Sequence, residues 1–309
     1  MTITIKDIAY VRYQAPDLHQ MESFLVDFGL HTVLRHERAL YMRAAGSLPV
    51  AHITELGEIA SLGFGLLAES VEDLQRLACE FGVAVESNQE PGGGQVVHLN
   101  DPDGFRVSVH YGLHQVAALP SRKPLPLNGF AQLSRLNAAQ RLSKGPSTVM
   151  RLGHLVLKVG SYSLSSEFYA RIFGMRASDT YYAGSEDNTI MAFMRCGLGQ
   201  QFTDHHTLGI LEHQHPGSFD HSAFEVLDWD DLMLGNQHLQ KAGYAHSWGV
   251  GRHLQGSQVF DYWRDPFGNK IEHWTDGDRV NDDYLVGHAA INPDALAQWG
   301  PPLNPEFMS

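Results

Sequence analysis

The sequence predicts an α+β fold built twice by duplication. The stretches "DPDGFRVSV" (101–109) and "DPFGNKIEH" (265–273) share Asp-Pro-x-Gly followed by an alternating apolar run. Two further pairs of stretches line up ahead of them in the same order. Within each copy, segments with the period of a strand alternate with segments that have the period of a helix.

Taken in order, "IAYVRYQAPDLHQMESFLVDFGL" (8–30) matches "LGHLVLKVGSYSLSSEFYARIFGM" (152–175) with a single-residue gap. Each reads as a strand, a polar break, an amphipathic helix and a glycine stop. "GFGLLAESVEDL" (63–74) matches "HSAFEVLDWDDL" (221–232), an apolar strand running into an acidic helix start. In the third pair, Asp-Pro with a glycine two residues later is turn chemistry, so each turn feeds a strand. The repeat is roughly 110–130 residues long. The chain therefore divides into residues 1–112, a connector at 113–150 containing "LPSRKPLPLNG", a second copy at 151–275 and a tail at 276–309. The tail has little periodicity and is expected to pack as an arm or a lid. The glycines of "PGGGQVV" precede no helix pattern and read as a turn, not a phosphate loop.

With 309 residues and 43% hydrophobic content, the chain can bury two ordinary cores. No apolar run approaches the roughly 20 residues needed to span a bilayer. A net charge of −13, from 22 basic and 35 acidic residues, argues against a nucleic-acid partner, which needs a concentrated basic surface. No secretory leader is expected from "MTITIKDIAYVRYQ", and two cysteines, Cys79 and Cys196, suit free thiols in a reducing cytoplasm.

Overlaying the copies isolates three positions. His154 stands opposite Tyr10, His221 opposite Gly63 and Glu272 opposite Ser108. Each difference runs one way: the second copy has gained two imidazoles and a carboxylate. A lone histidine on an apolar strand is commonly a packed core residue, and a strand glutamate can face solvent. Jointly the three point elsewhere, because burying a carboxylate costs several kcal/mol unless it is paired or meets a metal. Two neutral imidazoles and one carboxylate form the ligand set of open non-haem iron(II) sites. The spacing excludes a single-helix HExxH site, so the ligands must converge from three strands.

With these positions the chain resembles the vicinal oxygen chelate superfamily, and within it the type I extradiol ring-cleaving dioxygenases. The carrying stretch is "GRHLQGSQVFDYWRDPFGNKIE" (251–272), which departs from the family pattern at Asp261, where an apolar residue is usual. That aspartate is expected to point away from the metal, since neighbouring strand residues face opposite sides. The resemblance, over about 5–275, implies tandem βαβββ modules, two per domain, with an open barrel around an active site in the second domain. It also implies cleavage of a substituted catechol by O2, giving a ring-opened semialdehyde or keto acid. In that family His154, His221 and Glu272 correspond to ligands of Fe(II), less often Mn(II), and a homo-oligomer, often a tetramer, is usual.

The resemblance assigns further roles. His206, fifteen residues before His221 in "TDHHTLGIL", matches the acid–base histidine, although His205 is a rival for that role. Tyr262 matches a donor to substrate oxygen and His253 a histidine bordering the pocket. Where relatives taking carboxylated catechols carry an arginine, this chain has Trp248, which suggests an aromatic wall. Arg252 is near enough to be an alternative partner for a carboxylate. Two rivals keep the fold: an oxygen-independent lyase or isomerase of the glyoxalase type, and a non-catalytic binding protein. Ligands clustered in one copy favour the dioxygenase over the first, and a complete triad favours it over the second.

Overall fold

The structure, a computed structural model, describes residues 2–303 and 305–308. The first half runs β1 (Ile5–Ala15), α1 (Leu18–Phe28), β2 (His31–His36), β3 (Ala39–Arg43), β4 (His52–Leu56), β5 (Ala60–Ala68), α2 (Val71–Phe81), β6 (Glu86–Ser87), β7 (Gln95–Asn100) and β8 (Arg106–Tyr111). Residues 112–148 form neither helix nor strand. The second half runs β9 (Val149–Val159), α3 (Tyr162–Phe173), β10 (Arg176–Tyr182), β11 (Thr189–Arg195), β12 (Thr203–Asp204), β13 (Leu208–Glu212), β14 (Ser218–Val226), α4 (Trp229–Ala242), β15 (Ala245–His253), β16 (Val259–Arg264) and β17 (Lys270–Thr275). The tail adds β18 (Arg279–Val280), β19 (Gly287–Ala290) and β20 (Ala297–Trp299).

Local chemistry sets the element ends. Asp17, Ser70, Ser161 and Asp228 each accept a first-turn amide hydrogen at a helix N-terminus, satisfying donors that the helix leaves free. In the two Asp-Pro turns, Asp101 accepts from the Asp103 and Phe105 amides, and Asp265 from those of Phe267 and Asn269. Gly104 and Gly268 follow with φ of 89° and 88°, a region that side chains other than glycine's rarely adopt.

Two large sheets result. Their strand orders are β2-β3-β4-β1-β5-β8-β7-β6 and β19-β10-β11-β13-β9-β14-β17-β16-β15-β20, so the second repeats the first with one tail strand added at each end. A single core runs through both halves: Phe28 stacks on His273 with centroids 3.7 Å apart, and the His273 Nε2–H donates to the Phe28 carbonyl at 2.7 Å. Tyr13 donates to Ser222 Oγ across the same seam at 3.0 Å. The connector straps the halves together. Its Leu119 amide donates to the Ala45 carbonyl, and Arg122 grips Asp228 at 2.5 and 2.6 Å. The tail, expected as an arm or lid, packs β19 parallel to β10 and β20 antiparallel to β15, and buries Phe307 against Trp248, Phe260 and Tyr262. Among the described residues, no helix is long and apolar enough to cross a membrane.

Candidate active site

Strand register brings together the three candidate ligands selected from the sequence. On β14, Ala223 pairs with His154 of β9 on one side and with Glu272 of β17 on the other. Directly paired residues share a face, and so do residues two apart on one strand, so His221 joins them. Glu272 Oε2 lies 3.3 Å from His154 Nε2 and 3.4 Å from His221 Nε2. One ligand atom from each of the three residues falls within 4.8 Å of the others.

The first half has the same register without the ligands: Gly65 pairs with both Tyr10 and Ser108. There the space is filled. The Tyr10 hydroxyl meets His110 Nε2 at 2.9 Å, and Ser108 Oγ meets His98 Nδ1 at 2.9 Å. A Cβ at Gly63, which sits at φ +156°, would stand 2.0 Å from the Arg106 carbonyl oxygen, so no imidazole fits opposite His221.

Two buried carboxylates on neighbouring strands show why a cation fits. Asp261 faces away, as strand alternation predicts, and is satisfied by donors from Asn236, His246 and Trp263 at 2.7–3.1 Å. Glu272 is equally buried, yet among the described residues neither of its oxygens accepts a hydrogen bond. His221 Nδ1–H donates to the Asp220 carboxylate at 2.8 Å, so in the neutral form that binds a metal its Nε2 is bare and faces Glu272. A lone pair therefore opposes an anionic oxygen with no proton between them, an arrangement that a metal ion relieves. Burial opposes the charged carboxylate, but the His154 imidazole beside it holds its pKa well below the usual range. Burial also lowers the His154 pKa and keeps its ring neutral. An ionised carboxylate and neutral imidazoles are the states in which these groups bind a metal.

Support for the candidate ligands comes from residues the sequence reading missed. Asp220, which orients His221, takes a hydrogen bond from Lys270 Nζ at 2.9 Å. Burial would raise its pKa, but Lys270 and His221 hold it far below the usual carboxylate range. The Lys270 ammonium, 3% exposed, also donates to the Phe307 carbonyl at 2.9 Å and lies 4.2 Å from that ring. A carboxylate next to a candidate ligand histidine, and a lysine two residues before Glu272, were the available signals. Partners that orient metal-binding histidines sit in such places.

A cavity opens above the triad, and the second sheet curls around it. Val156, Tyr181, Met191, Phe193 and Leu211 line one side, Trp248, His253, Gln258 and Tyr262 the other, and Ile291, Leu296 and Phe307 of the tail close over it. His206 is on the wall with its ring 4.2 Å from that of His154, and burial together with His154 pushes its pKa well below the usual histidine value. His205 lies behind it, outside the cavity. The His253 Nδ1–H donates to the Leu296 carbonyl at 2.9 Å, so Nε2 accepts the Tyr262 hydroxyl, also at 2.9 Å. Burial raises the Tyr262 pKa well above the ordinary phenol value, keeping the hydroxyl protonated.

Arg252 is a correction. Alternation would place it on the face of Trp248, toward the cavity. The β15–β16 register slips by one residue between Gly249 and Gly251, which turns Arg252 outward and His253 inward. The Arg252 guanidinium donates to the Ser257 carbonyl at 2.5 Å and to Asp276 at 2.7 Å, and it takes no part in the cavity wall. Trp248 is on the wall, its Nε1–H donating to the Pro301 carbonyl.

Residues 151–273 match the Glyoxalase/Bleomycin resistance protein/Dioxygenase superfamily. Over 308 residues the chain is 31% identical to metapyrocatechase 2 of Cupriavidus necator, covering 98% of this chain and 91% of that one. Solved structures share the fold. Homoprotocatechuate 2,3-dioxygenase from Brevibacterium fuscum, in its anaerobic complex with 3,4-dihydroxyphenylacetate, superposes with a TM-score of 0.80 at 18% identity, covering 99% of this chain and 92% of that one. The Mn(II)-bound glyoxalase from Novosphingobium aromaticivorans gives 0.79 at 23% identity, covering 99% and 94%. The sequence likeness, which spans both halves and the tail, decides between these two chemistries on one fold: the chain belongs to the extradiol ring-cleaving dioxygenases.

Proposed function

We propose that this protein cleaves the ring of a substituted catechol beside its diol, incorporating O2 and releasing a ring-opened semialdehyde or keto acid. The observation that carries the reading is Glu272, a fully buried carboxylate with no hydrogen bond among the described residues, set beside His154 and His221, which line an apolar cavity. The name of the relative from Cupriavidus necator supports it. His154, His221 and Glu272 would hold Fe(II), and the same nitrogen and oxygen donors suit Mn(II). When bound, that ion supplies positions for both diol oxygens and O2 and the redox path between them.

The chain's own residues do the rest. His206, neutral and on the wall, takes a proton from a catechol hydroxyl and returns one to the product. Tyr262 and His253, already hydrogen-bonded to each other, offer a hydroxyl and an imidazole to substrate oxygen on the other wall. Val156, Met191, Phe193, Leu211 and the tail exclude water from the reacting ring. Outside the triad, the Asp and Lys side chains lining the cavity are Asp220 and Lys270, which pair with each other. An alkyl or aryl substituent therefore suits the cavity better than a carboxylate. In this reading residues 1–112 serve as scaffold and as subunit surface in a homo-oligomer.

The test is to load the protein anaerobically with Fe(II), add a panel of catechols, admit air, and record visible absorbance with oxygen uptake. Yellow product and oxygen uptake that disappear in His221→Ala are expected. Bound metal at full stoichiometry with neither colour nor oxygen uptake across the panel would move the assignment to an oxygen-independent lyase.

A further inference from the structure

Behind His206 stand two buried polar side chains with no role in the chemistry above. His205 Nδ1 is 3.1 Å from His206 Nδ1, and His205 Nε2 is 2.7 Å from Asp179 Oδ2. His205 is completely buried, and Asp179 and His206 are 5% and 3% exposed. Of the three, His206 alone lines the cavity. Proton bookkeeping restricts what this row can do. A carboxylate only accepts, so His205 Nε2 carries a hydrogen and donates it to Asp179. With His205 neutral its bare Nδ1 accepts, so His206 donates from Nδ1 and keeps Nε2 bare for the cavity.

We infer that Asp179 and His205 are positioning residues that hold His206 in the tautomer with a bare Nε2 and complete a buried proton relay behind it. The inference rests on the proposed catechol cleavage. In the relay a catechol O–H proton passes to His206 Nε2 as the His206 Nδ1 proton passes to His205 Nδ1. His205 becomes an imidazolium beside the Asp179 carboxylate, and His206 ends neutral with its hydrogen on Nε2. The reverse transfers deliver that proton to the ring-opened product, so no proton is gained or lost. The physical advantage is where the positive charge resides. On His206 it would sit in a ring whose centroid is 4.2 Å from that of His154, beside a metal cation. On His205 it rests one residue further from the metal and against a carboxylate.

The tautomers are read by long-range ¹⁵N–¹H correlation on the ¹⁵N-histidine-labelled full chain loaded with diamagnetic Zn(II). Hydrogen on His206 Nδ1 and on His205 Nε2 is expected. Hydrogen on His206 Nε2 in the resting protein would overturn the inference, whether or not any catechol is cleaved. In the Fe(II) enzyme, Asp179→Asn keeps an acceptor for His205 but removes the charge that stabilises its imidazolium. It should leave the tautomers and the catechol KM unchanged and lower kcat about 10- to 100-fold, the usual range for such supporting partners. His205→Phe should lose the His206 tautomer preference as well as kcat. Wild-type kcat in a folded, metal-replete Asp179→Asn would refute the relay. A wild-type chain that cleaves no catechol would instead refute the proposed reaction and leave the tautomer result standing.

Discussion

Glu272→Gln separates a buried carboxylate that requires a cation from one that merely packs. In the metal-free chain Oε2 faces His154 Nε2 at 3.3 Å and His221 Nε2 at 3.4 Å, and His221 has no proton there to give because its Nδ1–H serves Asp220. A glutamine of the same shape turns an amide N–H toward that bare nitrogen and removes the buried charge. An unsatisfied buried polar group costs about 1–3 kcal/mol, so the metal-free variant should gain about that much stability. At about 2–4 °C per kcal/mol for a unit of this size, Tm should rise by about 2–12 °C. With metal present the order inverts. Wild type gains about 2.7 kcal/mol at a free metal concentration 100 times Kd, whereas the variant, lacking its anionic ligand, gains little. Differential scanning calorimetry of chelator-treated and Mn(II)-loaded protein reads both effects. A metal-free variant no more stable than wild type, or one with an undiminished metal shift, would refute the assignment of Glu272 as a ligand.

Three further outcomes are expected. Lys270→Met removes the ammonium that anchors Asp220, and should weaken metal binding about 10- to 100-fold in chelator competition; unchanged affinity would show that Asp220 needs no anchor. Phe307→Ala empties the space beside Tyr262 and Trp248, and should raise kcat/KM for a bulky alkyl- or aryl-catechol relative to catechol by about tenfold; an unmoved ratio would place the substituent elsewhere. Burial pushes the His52 pKa down to about 3 and that of His110 down to about 4. The unfolded chain protonates these groups at about pH 6.5, so their contribution is complete above that pH and declines as pH falls toward the folded values. Between pH 7 and 5 each should lose about 2 kcal/mol. Urea melts should show a decline that is smaller by this amount in His110→Gln, and parallel declines would contradict neutral burial of His110.

The parts of this protein that were legible in sequence are those governed by local chemistry or by the repeat. Asp-Pro-x-Gly turns, helix caps and period-two strands are decided within a few residues, and the matched strand orders of the two sheets reproduce the duplication. Its two copies also provided an internal control. Tyr10, Gly63 and Ser108 showed that the fold itself does not require His154, His221 and Glu272, so their presence called for a chemical explanation. The register around Gly65 and Ala223 agrees with that pairing residue for residue.

What the sequence determined by itself was the architecture and the grouping of His154, His221 and Glu272, because both are written in periodicities and in a repeat that survive without knowledge of contacts. Tertiary structure alone decided which of His205 and His206 meets the cavity, since adjacent residues of the same type carry no local mark of direction. It also decided that Arg252 turns away from the cavity, because one extra residue in a strand reverses the parity on which any alternation argument depends. The pairing of Asp220 with Lys270 and of Asp179 with His205 joins positions 50 and 26 residues apart. Such partners are chosen by the way the sheet curls and the tail closes. Their energetic need for one another arises only when folding removes them from water.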